Sequence, residues 1–148
     1  GNEMKTDNTS NFSYSENSIF LVMANVHVVS VTPDNTGTSD GDKKPGNFAA
    51  FRIGWKSASG AVTIPKASEV CVNHFAAGTR QMVTFRADKA LNERVDIPLF
   101  GLVKSSNLTE DIQYFAVYGS TTCDPHTGSD RNELTTWHGS ISVIQLKV

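Results

Sequence analysis

The stretch that decides the fold is residues 19–31, IFLVMANVHVVSV. Phe20, Val22, Ala24, Val26 and Val28 alternate with Leu21, Met23, Asn25, His27 and Val29, the two-residue period of a β-strand and not the 3.6-residue period of a helix. One face is wholly apolar and the other mixed, which predicts a long strand with one buried face. This strand empties into residues 32–46, TPDNTGTSDGDKKPG, where glycine, proline and short polar side chains end regular structure.

The same alternation recurs along the chain. Residues 48–56 set Phe51, Ile53 and Trp55 on one face, and 56–60 (KSASG) has the glycine and serine of a hairpin connection, so 61–64 pairs back. Pro65 separates that segment from a strand at 68–75. Further strands are expected at 80–87, at 93–105 with a bend near Pro98, at 112–121 and at 134–148. In the segment 112–121, Tyr114, Ala116 and Tyr118 oppose Phe115 and Val117. In the last, Trp137, Ile141 and Val143 oppose Ile144, Leu146 and Val148. About eight strands at even spacing, with no window of helical period, predict an all-β, single-domain antiparallel sandwich in an Ig-like or C2-like layout with little or no helix.

With 148 residues the chain fits one domain, read as a polar leader over 1–18 followed by the sandwich over 19–148. The leader has turn-forming and polar residues and two aromatics, Phe12 and Tyr14, and is expected to be a mobile segment or an arm hugging a sheet edge. A net charge of −2 lacks the basic footprint of a nucleic-acid binder. The longest apolar run is far below the roughly 20 residues of a membrane-spanning helix. Charged residues make up 19%, under the roughly 25% usual for globular chains, and Ser, Thr, Asn and Gly are abundant, a balance that points to an extracytoplasmic protein, secreted, periplasmic or on the cell surface.

Two cysteines, Cys71 and Cys123, predict one disulfide in an oxidising compartment. Each also begins a C-x-x-H, with His74 and His126, so a tetrahedral zinc site is the alternative; strand geometry opposes it, because residues i and i+3 of a strand face opposite sides. The loop after the first strand concentrates oxygen ligands at Asp34, Asn35, Thr36, Asp40 and Asp42, with Gly37 and Gly41 permitting tight turns, the donor chemistry a Ca²⁺ ion demands. No EF-hand is present, since Ser39 occupies the position of the required glycine. Gly37-Thr38-Ser39-Asp40-Gly41 satisfies G-x-S-x-G but lacks the strand-to-helix elbow that makes such a serine nucleophilic, so no catalytic residue is assigned.

If the strands alternate in direction, the segments 33–46, 65–67, 88–92 and 123–133 fall at one end, and Asp124 and Asp130 join Asp34, Asp40 and Asp42 in an acidic pole. Two acidic loops at one pole resemble, in general form, the C2-type sandwich, in which loops at one end bind calcium and then anionic lipid. The expected function is a binding module, not an enzyme, for carbohydrate or cell-surface recognition with calcium as the candidate ion and a carbohydrate or protein ligand. The alternatives are an assembly subunit acting through strand edges or the leader, and a Cys/His metal-binding protein. Trp55, Tyr114, Tyr118 and Trp137 are the candidate sugar-stacking aromatics.

Overall fold

The computed structural model describes residues 4–15, 17–32, 49–72, 81–83, 95–120 and 133–148. They form an all-β sandwich of two sheets. Its strands are β1 (Met4–Lys5), β2 (Ser18–Thr32), β3 (Ala49–Ser57), β4 (Val62–Thr63), β5 (Val70–Val72), β6 (Gln81–Val83), β7 (Val95–Lys104), β8 (Ile112–Ser120) and β9 (Glu133–Lys147). Seven of these have three residues or more, against the eight expected. The only helical turns among the described residues are 3₁₀, Lys66–Ser68 and Ser105–Asn107.

The smaller sheet has the order β7-β2-β9, and the larger β1-β8-β3-β5-β6 with β4 beside β3. Pairing is antiparallel except between β5 and β6, which run parallel, a departure from the fully antiparallel expectation. The alternation of residues 19–31 determines the arrangement. Phe20, Val22, Ala24 and Val26 are buried, as are their β7 neighbours Val103, Leu99 and Ile97. Against them pack Phe51, Ile53, Trp55, Val70, Ile112 and Phe115 from the larger sheet.

At the hairpin end, Gly60 adopts φ +97° between β3 and β4, a conformation that favours glycine, and Ser57 N–H bonds the Ala61 carbonyl at 2.8 Å. Gly54 is required for a different reason. A Cβ there would lie 2.5 Å from the Thr63 carbonyl oxygen and 2.9 Å from the Tyr118 ring, so the aromatic lies directly on bare backbone.

The N-terminal segment is an arm along a sheet edge. β1 pairs with β8, Phe12 bridges to Ile112, and Met4, Phe12 and Tyr14 pack against the core. Of the two arrangements expected for the leader, a mobile segment or an arm, the described residues 4–15 lie as an arm, with three well-placed side chains packed against the core. Ser18 itself belongs to β2, and its N–H is held by Ser105 Oγ at 3.0 Å.

Candidate binding surfaces

Every aspartate assigned to the acidic pole, Asp34, Asp40, Asp42, Asp124 and Asp130, lies outside the described residues, as do His74, Cys123 and His126. What is described is how their flanking strands end. Thr32, the last residue of β2, is in register with Glu133, the first of β9, and Ala50 is in register with Ser120, the last of β8. The segments 33–48 and 121–132 are thus rooted side by side, within a strand spacing of about 5 Å at each paired root.

That neighbourhood does not come from counting strands. β4 and β5 both run antiparallel to β3 along the same edge, Thr63 opposite Trp55 and Val70 opposite Phe51, with the Lys66–Ser68 turn between them. They share one direction, so Pro65–Ala67 sits beside the middle of β3 and away from the pole. Ser68 Oγ accepts the Ile53 N–H at 2.9 Å and fixes the turn there. The expectation that 65–67 joins the pole is corrected; for 33–46 and 123–133 the described residues give the pairing of the flanking strand ends, Thr32 with Glu133 and Ala50 with Ser120.

Cys71 lies in β5, its backbone between Ala50 and Met82. Trp55 is 7% exposed and belongs to the core, which removes it as a stacking platform. Tyr114 and Tyr118 are half-buried on the outer face of the larger sheet, and the Nζ of Lys5 and of Lys56 lie 4.8 and 5.8 Å from the Tyr114 ring centre. These ammonium groups occupy the ring's surroundings in cation–π geometry. The Trp137 side chain falls outside the described set.

The most distinctive surface was not singled out by motif. Along the smaller sheet, β2 residues that point outward pair with outward residues on both sides: Ile19 with Lys104 and Leu146, Leu21 with Leu102 and Ile144, Met23 with Phe100 and Ser142, Asn25 with Pro98 and Ser140. Among the described residues eight large hydrophobics are exposed; five of them, Met23, Phe100, Leu102, Ile144 and Leu146, belong to this sheet, and Val148 directly follows its strand β9. Such clustering separates a functional patch from the scattered exposure normal on any surface. Phe100 is 57% exposed and Leu102 52%. The signal was present in the sequence: 19–24 and 97–103 are apolar on both faces of their strands, the pattern of a strand covered on both sides.

Phe100 and Leu102 also form one wall of a cleft of about 250 Å³, closed by Ile53, Pro65 and Ala67. Beyond the patch, His27 and Asp96 pair across β2 and β7 at its far end, with Asp96 61% exposed. Among the described residues no group of three or more His, Cys, Asp or Glu is placed to hold a metal, and no helix is long and apolar enough to cross a membrane.

With the geometry in hand the class is that of a sandwich presenting an apolar sheet face. Comparison with protein-family models, curated proteins and solved structures yields no match.

Proposed function

We propose that the protein is an assembly module, working outside the cytoplasm by binding and not by catalysis, whose β7-β2-β9 face docks onto a protein surface. The observation that supports this reading is the cluster of Leu21, Met23, Phe100, Leu102, Ile144 and Leu146 across three strands, interrupted in its central row by Ser142, with charged groups confined to its ends. An apolar sheet face in water is stabilised by covering it, and a second protein layer is the usual cover. The full chain in an extract of its native source is expected to migrate well above its 16.1 kDa monomer mass, and a Phe100→Glu/Leu102→Glu variant at the monomer position. Monomeric migration of the unaltered chain would remove the reading.

A second reading, calcium-assisted recognition of a carbohydrate or cell surface through 33–46 and 123–133, is supported by the paired roots Thr32–Glu133 and Ala50–Ser120. A ligand that binds only the folded state raises its melting temperature. Millimolar Ca²⁺ is expected to raise Tm over an EDTA-treated sample, and an unchanged Tm removes the ion from the account.

A further inference from the structure

We propose that the occupant of the β7-β2-β9 face is a second copy of this chain, packed face to face about a two-fold axis that runs across the strands through the Met23–Phe100 row. The inference rests on the assembly reading above and supplies its partner.

The face has five rows. At one end stand Lys104, Ile19 and Leu146; at the other stand Asp96 and His27; the three rows between them carry no charge. Lys104 and Asp96 lie four residues to either side of Phe100 on the same strand, so the apolar face carries opposite charges at its two ends and an aromatic at its centre. A two-fold across the strands lays β7 antiparallel over β7 of the second copy. Phe100 then meets Phe100, and each Lys104 stands over an Asp96, twice by symmetry, as an isologous contact requires. A two-fold along the strands instead sets β7 over β9, where Lys104 faces Leu146 and gains no charge partner. The charges therefore select one orientation.

Sheets that bury apolar faces against each other do so at about 10 Å separation with aligned strands, which this geometry permits. Five rows on three strands cover roughly 15 by 30 Å, so a pair buries about 1,000 Å², near the lower limit for a specific interface. Buried area does not by itself fix an affinity, so the dimer is sought over a wide concentration range. A bilayer fits the face less well, since interfacial binding is favoured by a uniformly cationic rim, and here Asp96 marks one end.

The test is sedimentation velocity of the purified full chain from about 1 to 500 μM. The expected result is a monomer–dimer equilibrium that Phe100→Glu abolishes. Lys104→Glu, which sets a carboxylate over Asp96, is expected to weaken it about tenfold, and the double swap Lys104→Glu/Asp96→Lys to restore it to within about threefold. All the altered side chains are solvent-exposed, and a Tm within a few degrees of the unaltered chain confirms that each variant folds. A chain that stays monomeric to 500 μM overturns the inference, as does a dimer indifferent to Phe100→Glu. Failure of the double swap to restore dimerisation overturns the assigned axis. Co-sedimentation of a monomeric chain with phosphatidylserine vesicles assigns the face to lipid instead. A purified monomer that runs in a larger species in native extract sinks the second-copy inference alone, whereas monomer in both settings sinks the assembly reading with it.

Discussion

Phe12, from the N-terminal arm, meets Phe115 of β8 edge to face, with ring centroids 5.3 Å apart and planes at 62°. Phe20 lies within 6.0 Å of Phe12 and 5.4 Å of Phe115, so one residue of the arm completes an aromatic cluster that joins both sheets. Aromatic pairs at such distances contribute about 0.5–1.5 kcal/mol beyond their area. Phe12→Ala is expected to cost about 2–3 kcal/mol, somewhat below a fully buried phenylalanine because Phe12 is only half-buried. Urea denaturation measures it, and a loss under about 0.5 kcal/mol would show the arm to be an ornament.

Glu69 has a side chain only 2% exposed and pairs with Arg52, which is 27% exposed. Removing Arg52 takes from this buried carboxylate the guanidinium it pairs with, a change that costs up to about 3–5 kcal/mol in comparable sites. Arg52→Met should therefore destabilise strongly, while Arg52→Met/Glu69→Gln recovers much of the loss. Chemical denaturation of the two variants decides it; equal losses in both would mean that the pair's charge is immaterial.

Gly54 cannot accept a side chain without displacing the Thr63 backbone, which is less compliant than a side chain. Overpacking of this kind costs about 1–3 kcal/mol. Gly54→Ala is expected to lower Tm and to loosen β4, read as faster amide exchange at Val62 and Thr63. Unchanged exchange at those two amides would contradict the proposed displacement.

Cys71 and Ser120 flank Ala50 on opposite sides, two strand spacings or roughly 10 Å apart. Cys123 follows Ser120 by three residues, and a three-residue span reaches up to about 10 Å, enough to bring two Cα atoms within disulfide distance of Cys71. The oxidised chain is expected to weigh about two mass units less than the reduced one, and reduction to cost about 3–4 kcal/mol on the chain-entropy view. A reduced mass together with bound zinc in native mass spectrometry would favour Cys71, His74, Cys123 and His126 as metal ligands.

The strand content was legible because its determinant is local. Phe51, Ile53 and Trp55 at period two lie together in the core, and Phe20, Val22, Ala24 and Val26 do the same. Pro65 split β4 from β5 as proline's missing N–H implies. Less legible was the direction of those two strands: a three-residue 3₁₀ turn lets both continue along β3, and nothing in residues 61–72 records which partner they share. Trp55 illustrates the same limit. Its chemistry suits both a core and a stacking platform, and only the opposing sheet assigns it to the core.

Residues 19–31, by themselves, determined that they form a long strand whose Phe20 face is buried, because alternation is encoded residue by residue. They also held the less obvious fact that the Leu21 and Met23 face is apolar. Tertiary structure decided what that second face meets. β7 and β9 bring Phe100, Leu102, Ile144 and Leu146 beside it, and pairing between segments distant in the chain, Thr32 with Glu133 and Ala50 with Ser120, sets the roots of 33–48 and 121–132 together. Register across distant strands depends on the cooperative packing of whole sheets, so no single stretch of sequence contains it.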